Sequence, residues 1–248
     1  MTRLSVVVPV YRSEAIVGKM IERTLAVLSR IEGEGELVLV HDASPDDSLA
    51  VLEEWAARDP RVVVCDLARN VGQHRALFLG MLESRGDWIA TLDDDLQNPP
   101  EELLPMLEAT ADSDLVFGRF KQKQHAAVRV GGSRLVTRLN RLLYGLPSDL
   151  LVSNVRLLSR AVFERMRAYD AGRIYLTGWA ILAAERPSNV EVEHAAREVG
   201  PSTYGMRRLT KLFFSVLLAH PRMPFRGPAP AASELVARVL RTGDPPGQ

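Results

Sequence analysis

Three consecutive aspartates, Asp93-Asp94-Asp95, stand between an apolar run at residues 88–92 and the pair Pro99-Pro100. The apolar run predicts a buried strand, and side chains at the end of such a strand face the ligand crevice of an open α/β sheet. On an extended backbone Asp93 and Asp95 point to the same side, whereas Asp94 points away. Because two carboxylates on one side repel each other, the spacing predicts a divalent cation, Mg²⁺ or Mn²⁺, with Gln97 as a neutral oxygen ligand.

A solvated loop that leads into a helix is the alternative interpretation of the same acids. Pro99 and Pro100 suit the start of a helix, and Glu101 and Glu102 are favoured in its first turn. Short acidic clusters are common on protein surfaces, and in this alternative the aspartates hold no ligand. The choice between a metal site and a solvated loop depends on the elements that surround the cluster.

Composition limits the classes of protein to which the chain can belong. Its 248 residues are enough for one large α/β domain with a full core. Lys+Arg and Asp+Glu both number 31, so no overall field attracts nucleic acid, and any anion site is local. Cys65, the single cysteine, lies in an apolar run and is expected to be a buried hydrophobe.

The chain has no apolar run of about 18 residues and opens without a secretory signal pattern, so no transmembrane helix is expected. Together with the single cysteine, this favours the cytoplasm or a peripheral position at the inner face of the cell membrane.

Apolar runs alternate with helical patterns through the first 120 residues, which predicts a doubly wound, largely parallel sheet. Ser44-Pro45-Asp46-Asp47 predicts the start of the second helix, with Ser44 as its N-cap. The predicted strands are Leu4–Val10, Leu37–Val40, Val62–Cys65, the run before the aspartates, and Leu115–Arg119.

Three of these strands end in polar side chains, and parallel strands bring such ends to one edge of the sheet. The residues concerned are Tyr11 and Glu14, Asp42 and Ser44, and Asp93 and Asp95. The usual glycine-rich phosphate loops are missing, so a nucleotide diphosphate would have to be held by a metal and cations. Asp93, Asp95 and Arg119 are the candidates for that role.

Four motifs in chain order resemble the family 2 glycosyltransferases, which have the GT-A fold. They are Val8-Pro9-Val10-Tyr11, Asp42-Ala43-Ser44-Pro45-Asp46, Arg69-Asn70-Val71-Gly72, and the stretch from Asp93 to Glu101. The last is similar to the branch of dolichol-phosphate mannose synthase and bacterial polyprenyl-phosphate sugar transferases. The resemblance implies a mostly parallel central sheet flanked by helices, with a C-terminal acceptor-side helical segment.

The resemblance also implies an organisation of the chain. A glycosyltransferase domain would cover residues 1–220, with a nucleotide-sugar half at 1–120 and an acceptor half at 121–220. Residues 221–248 read as a Pro/Gly-rich, partly disordered tail, with a short helix at Ser233–Arg241.

The resemblance implies a role for each matching position. The nucleotide-sugar site would comprise Pro9, Tyr11, Glu14, Asp42, Asn70, Gly72, Asp93, Asp94 and Arg119. Asp42 would accept a hydrogen bond from the base, and Asp95 would be the main metal ligand, beside Asp93 and Gln97. Arg119 would neutralise diphosphate charge. His41 stands where the family usually has an aspartate, and it is either a changed pocket wall or a strand-end histidine without a role.

The acceptor side is implied by two segments. Residues 149–160 are similar to the family's Gly-Asp-Phe-Arg-Leu segment, with Asn154 where some members have aspartate, and residues 200–212 are similar to its Gly-x-Ser-x-Tyr…Lys-Leu segment. The acceptor or phosphate contacts would be Ser153, Asn154, Arg156, Arg197, Ser202, Arg207 and Lys211. Asparagine cannot act as a general base, so Asn154 favours a lipid phosphate, which is already anionic, over a sugar hydroxyl. A hydroxyl acceptor would need a carboxylate such as Asp149, Asp170 or Glu185.

The sequence thus predicts an inverting, metal-dependent transfer from an NDP-sugar, linked to UDP, GDP or TDP, to a polyprenyl phosphate. Two alternatives stay open: transfer to a hydroxyl of a soluble glycan or small molecule, and a catalytically weak nucleotide-sugar-binding subunit that serves a membrane partner. An apolar helix at residues 209–218 would either lie on a bilayer or pack against the sheet or a second subunit, including another copy of the chain.

Overall fold

The computed structural model describes residues 3–120, 137–193, 195, 216–222 and 227–242. Its strands are β1 Leu4–Val10, β2 Gly35–His41, β3 Val62–Leu67, β4 Trp88–Thr91, β5 Leu115–Phe120, β6 Arg156–Ser159, β7 Pro187–Val192 and β8 Val236–Leu240. Its helices are α1 Glu14–Leu28, α2 Ser48–Arg58, α3 Gln73–Glu83, α4 Leu103–Glu108, α5 Arg160–Arg167, α6 Leu176–Ala183 and α7 Ala232–Leu235. Residues 137–144 and 216–218 are also helical.

One sheet contains all eight of these strands, in the order β7-β5-β6-β4-β1-β2-β3-β8. The four strands β1 to β4 run parallel, and β5 pairs in parallel with β7. β6 lies antiparallel between β4 and β5, and β8 runs antiparallel along β3. The predicted mostly parallel α/β sheet is therefore confirmed, and the carboxyl ends of β1, β2 and β4 meet at one edge of it.

The central strands are buried on both faces, which is why they read as continuous apolar runs. Side chains alternate between the faces: Val7 packs on the α3 side, whereas Val6 and Val8 pack on the side of α1 and α2. Cys65 is fully buried, as predicted, and burial raises the pKa of its thiol to about 12.

Helix α3 lies unusually close to β1 and β2 at Gly80. A Cβ atom added there would come within 2.5 Å of Val40 Cγ2 and 2.6 Å of Val7 Cγ1.

Gly80→Ala should therefore lower the free energy of unfolding by about 1–3 kcal/mol, measured by denaturant titration, because neither β-branched neighbour can move aside. Gly18→Ala in α1 is the matched control. Its added Cβ would meet nothing closer than 3.7 Å, so helix propensity should leave that variant neutral or more stable. Equal losses in the two variants would contradict the packing argument.

Two local predictions are wrong. The helix predicted at Ser233–Arg241 is limited to α7, and β8 continues from it, pairing Asp66 with Arg238 and Cys65 with Val239. The edge of β3 offers unpaired backbone groups, and a β-branched tail segment satisfies them better than a short helix does. Helix α2 begins at Ser48 and not at Ser44, so the loop after β2 is longer than expected.

No helix within the described ranges has the length and apolar character needed to cross a bilayer. The predicted disorder of the last six residues concerns positions outside those ranges, and the domain boundaries stay a prediction.

Candidate functional site

Three loops, which follow β1, β2 and β4, are hydrogen-bonded to one another at the carboxyl edge of the sheet. The backbone N–H of Tyr11 donates to Asp94 Oδ2 at 3.2 Å, and that of Arg12 donates to Ser44 Oγ at 2.7 Å. The N–H of Glu14 donates to Asp46 Oδ2 at 3.1 Å. The predicted convergence of the three strand ends is therefore present in the structure.

Each of these loops contains one non-glycine residue with a positive φ angle: Arg12 at 58°, Ala43 at 47° and Leu96 at 56°. The left-handed region costs an ordinary residue roughly 1–2 kcal/mol, so surrounding contacts have to hold it. Backbone strain of this kind collects where a site needs particular atoms in particular places.

Asp94 has hydrogen-bond partners of its own, which differ from those of Asp93. Strand β4 ends at Thr91, and the aspartates lie in a turn, where the two-residue alternation of a strand no longer applies. Asp94 accepts hydrogen bonds from the Tyr11 N–H and from the hydroxyl of Ser13. Burial raises its pKa, and these two bonds oppose that rise. Asp94 thus ties the acidic loop to the end of β1.

Asp93 sits at the base of the acidic loop among hydrogen-bond donors. Gln73 Nε2 donates to its Oδ1 at 2.6 Å, Asn98 Nδ2 donates to its Oδ2 at 3.3 Å, and the side chain of Asn154 is a further partner. Burial, followed by repulsion from Asp95 and Asp94, raises the pKa of Asp93 to about 6. Three donors and a raised pKa describe a carboxylate that is held in place but has too little positive charge around it.

Arg156 supplies part of the opposing charge from below. The residue is 1% exposed, its Nη1 donates to Thr177 Oγ1 at 3.2 Å, and its Nε donates to the carbonyl of Asn154 at 3.4 Å. Burial lowers its pKa to about 10, while the charges of Tyr175 and Asp93 act in the other direction. Arg156 therefore acts on Asp93 as a nearby positive charge and not through a direct ion pair, and its contact with an acceptor phosphate stays a prediction.

Asp95 lies beside a small cleft at the surface of the acidic loop. Its Oδ1 accepts from the Gln97 N–H at 3.2 Å, and the Gln97 carbonyl accepts from the Ala195 N–H at 3.0 Å. The cleft is lined by Tyr11, Arg12, Ser13, Ala15, Ile16, Asp94 and Asp95. Of the three aspartates, Asp94 and Asp95 border this opening.

Asp42, Asn70 and Gly72 lie together because they are hydrogen-bonded to one another. The two oxygens of Asp42 accept from the N–H groups of Val71, at 2.7 Å, and Gly72, at 2.9 Å. Asn70 Nδ2 donates to the Asp42 carbonyl at 3.0 Å. Asp42 is 3% exposed, and burial raises its pKa. It therefore clamps the loop after β3 to the loop after β2, and its contact with a base stays a prediction.

Several other predicted residues are placed by the structure without being joined to the acidic loop. Pro9 is buried within β1, Arg119 is exposed on β5, two strands away from β4, and Asp149 is exposed in a turn. Ser153 donates its hydroxyl to the carbonyl of Val155 at 2.7 Å, and Glu14 Oε2 accepts from the Asp47 N–H at 3.4 Å. Arg197, Ser202, Arg207 and Lys211 fall outside the described ranges.

Comparison with known proteins decides the family. Residues 5–167 match the family model described as glycosyl transferase family 2. This chain belongs to glycosyltransferase family 2. The glycosyltransferase is 35% identical over 227 residues to the undecaprenyl-phosphate 4-deoxy-4-formamido-L-arabinose transferase of Proteus mirabilis (strain HI4320). The aligned region covers 90% of this chain and 69% of that protein. The transferase of the same name from Pseudomonas aeruginosa (strain LESB58) is 36% identical, with 90% and 66% covered.

Solved structures agree on the fold of the glycosyltransferase. One is glucosyl-3-phosphoglycerate synthase from Mycobacterium tuberculosis, crystallised with Mn²⁺, UDP and phosphoglyceric acid. Its TM-score is 0.64 at 18% sequence identity, and the superposed region covers 90% of this chain and 80% of the synthase chain. S. aureus TarS 1-349, crystallised with UDP-GlcNAc, has a TM-score of 0.60 at 16% identity, with 90% and 68% covered. The fold is that of a GT-A glycosyltransferase, as the sequence motifs implied.

The oxygen atoms of the acidic loop are suited to fill part of the coordination shell of a divalent cation in the glycosyltransferase. Within the described residues, no three His, Cys, Asp or Glu side chains gather as a metal-binding group. Asp93 and Asp95 offer carboxylate oxygens, and the buried Oδ1 of Asn98 has no hydrogen-bond partner. Mg²⁺ and similar ions often take one or two protein carboxylates and complete their shell with phosphate and water. The geometry therefore fits a cation that shares its coordination with a bound diphosphate.

The sequence analysis of the glycosyltransferase gave no role to Gln73 and Asn98, which contact Asp93, or to the buried His74. Burial lowers the pKa of His74 to about 4, helped by the charge of Arg156, so its ring is neutral at pH 7. Gln73 and His74 open α3 directly after Gly72, at the same sheet edge as the other strand ends, and that position was a usable signal. Asn98 carried no signal, because its contact depends on how the acidic loop turns.

The pKa of Asp93 predicts that nucleotide binding depends on pH. A proton and a cation compete for this carboxylate, so lowering the pH from about 7.5 to about 5.5 should weaken Mn²⁺-dependent binding of a nucleoside diphosphate roughly fourfold. Without a cation, the raised folded-state pKa stabilises the fold at low pH, and this contribution is lost as the pH rises through about 6. The increase in Tm on adding Mn²⁺ and nucleotide should therefore be larger at the higher pH. Asp93→Asn is the control: if that variant keeps the full pH dependence, another group is responsible.

Proposed function

We propose that this glycosyltransferase moves a sugar from an NDP-sugar to a polyprenyl phosphate, with inversion at the anomeric carbon. The relatives at 35–36% identity are named as undecaprenyl-phosphate transferases, and they support a lipid-phosphate acceptor. The observation that carries this choice is Asn154, whose side chain is hydrogen-bonded to Asp93. An amide at this position cannot remove a proton from a hydroxyl, whereas a phosphate acceptor is already anionic at neutral pH.

The donor site follows from the acidic loop. Asp95, with Asp93 beside it, would hold a divalent cation together with the diphosphate of the donor. When bound, Mg²⁺ or Mn²⁺ stabilises the negative charge that develops on the leaving nucleoside diphosphate. Gln73, Asn98 and Asn154 keep the carboxylate of Asp93 in position, and Arg119 would add positive charge from the end of β5.

The acceptor step needs no proton transfer by the protein. An oxygen of the acceptor phosphate attacks the anomeric carbon from the face opposite the diphosphate. The bond between that carbon and the diphosphate oxygen breaks, and its electron pair leaves with the nucleoside diphosphate. The configuration at the anomeric carbon is thereby inverted.

One structural neighbour was solved with Mn²⁺ and UDP and another with UDP-GlcNAc, which supports a divalent cation and a uridine donor as the first combination to test. Purified protein should be incubated with labelled UDP-, GDP- or TDP-sugars, Mn²⁺ or Mg²⁺, and undecaprenyl phosphate in detergent. Label that passes into the organic-soluble lipid supports the proposal. Label in a water-soluble product supports a hydroxyl acceptor, and nucleotide binding without any transfer supports a binding subunit.

Asn154→Asp separates the two acceptor chemistries. The change removes a hydrogen-bond donor from Asp93 and adds a negative charge beside it, so transfer to a lipid phosphate should fall about tenfold. With a hydroxyl acceptor the new carboxylate could act as a general base, and the rate should rise. A clear gain in activity would therefore contradict the phosphate assignment.

A further inference from the structure

We propose that Arg238, Asp66 and His41 are positioning residues for donor binding. They connect the C-terminal strand β8 to the β2–α2 loop, residues 42–47, which carries Asp42 and Ser44 at the proposed donor site. The inference rests on the proposed function, because the loop is taken to be part of the nucleotide site.

The connection is a continuous chain of hydrogen bonds across three strands. Arg238 Nε donates to Asp66 Oδ2 at 3.1 Å, and Asp66 Oδ1 lies 2.7 Å from His41 Nδ1. His41 Nε2 accepts from the backbone N–H of Ser44 at 3.1 Å. Arg238 also pairs with Glu53 on α2, the helix that follows the loop. The strand before the β2–α2 loop and the helix after it are therefore both connected to the same arginine.

These contacts determine the tautomer of His41. A backbone N–H can only donate, so Nε2 has to be the unprotonated acceptor, and Nδ1 carries the proton that it donates to Asp66. His41 is 5% exposed, and the side chain of Asp66 is 14% exposed. Asp66 thus orients a neutral imidazole toward Ser44, and Arg238 balances the charge of Asp66.

The bond to Ser44 acts on the most constrained part of the loop. Ala43 has a φ of 47°, which a non-glycine residue keeps only when its neighbours hold it. Ser44 Oγ accepts the N–H of Arg12 at 2.7 Å, and Asp42 clamps residues 71 and 72. Loosening the His41 bond would let Ala43 relax and would shift both contacts. Donor affinity should change more than the chemical step, since the acidic loop is not part of the chain of bonds.

Arg241 offers a matched control from the same C-terminal segment. Its Nη1 lies 3.4 Å from Glu36 Oε2, and its Nη2 donates to the Glu83 carbonyl at 2.6 Å, so it too attaches the segment through a carboxylate. Glu36 lies near the start of β2, at the opposite end of that strand from His41. Removing Arg241 therefore weakens the attachment of the segment without touching the β2–α2 loop.

The test is a kinetic comparison of five variants with the intact protein. Arg238→Ala should raise KM for the NDP-sugar, and the Kd of the nucleoside diphosphate, about fivefold, with kcat changed less than about twofold. Arg241→Ala should leave all three within about twofold. Arg238→Lys should recover part of the affinity. His41→Ala combined with Arg238→Ala should bind no more weakly than His41→Ala alone, because both changes break one chain of bonds.

Amide hydrogen exchange of residues 42–48 provides a readout that needs no ligand. Arg238→Ala should speed exchange in this segment, whereas Arg241→Ala should not. Equal KM and exchange effects for the two arginines, additive effects in the double variant, or a fall in kcat at constant KM would overturn the inference. If the wild-type protein neither binds a nucleotide nor transfers a sugar, the proposed function fails, while the exchange experiment still decides whether Arg238 controls the loop.

Discussion

Asp95→Asn should lower kcat/KM for sugar transfer about 10³-fold and abolish the Mn²⁺ dependence of nucleotide binding. The substitution keeps an oxygen that can accept the N–H of Gln97, so the turn should persist while the charge is lost. The loss should be large because the site has few carboxylates to hold a cation. Asp93 shares its oxygens with Gln73 and Asn98, so it can replace only part of what Asp95 supplies, and Asp94 is bonded to Tyr11 and Ser13. Steady-state transfer and calorimetry with a nucleoside diphosphate, each with and without Mn²⁺, measure the effect.

Asp112→Asn is the control for the loss of a negative charge, since Asp112 is exposed and lies beyond α4. That variant should match the wild-type protein in both assays. Transfer by Asp95→Asn within about tenfold of wild type would remove Asp95 from the metal site and, with it, the proposed mode of donor binding.

Arg156→Ala should lower the free energy of unfolding by about 3–5 kcal/mol. Removing the guanidinium leaves Asp93 in a buried position beside two other carboxylates, without the cation that opposes them. It also leaves Thr177 Oγ1 and the Asn154 carbonyl without this donor. Denaturant unfolding at neutral pH measures the loss, and the pKa of Asp93 should rise further above about 6 in the variant.

Arg165→Ala is the matched control for Arg156→Ala. Arg165 pairs with two carboxylates, Asp114 and Glu185, but its side chain is 40% exposed, so water replaces most of what is lost. An exposed pair of this kind contributes at most about 1 kcal/mol. If Arg156→Ala costs no more than Arg165→Ala, the buried charge of Arg156 does not offset that of the carboxylates around Asp93.

Arg156 also shows how the two halves of the chain cooperate. It enters from β6, which lies antiparallel beside β4, and its guanidinium reaches the region beneath the acidic loop. The same strand follows Asn154, whose side chain contacts Asp93 and whose carbonyl accepts the hydroxyl of Thr91 at 2.8 Å. A segment that the sequence motifs associate with the acceptor therefore supports Asp93, which belongs to the proposed donor site.

The sequence by itself determined the elements that depend on local patterns. Continuous apolar runs predict strands buried on both faces, and the strands β1 to β5 lie within a few residues of their predicted bounds. The motifs at the ends of β1, β2 and β4 were enough to predict that Tyr11, Asp42 and the three aspartates would gather at one edge. Parallel strands joined by helices leave little choice about where their carboxyl ends go.

Only the tertiary structure decided the contacts between segments that are distant in the chain. The insertion of β6 between β4 and β5, the pairing of β8 with β3, and the contacts of Gln73 and Asn98 with Asp93 depend on register and loop conformation. A local pattern carries no information about which distant strand satisfies an open sheet edge, or about the direction in which a strained turn points a carboxylate. Those choices follow from burial and hydrogen bonding summed over the whole fold, and they convert three adjacent aspartates into side chains with different partners.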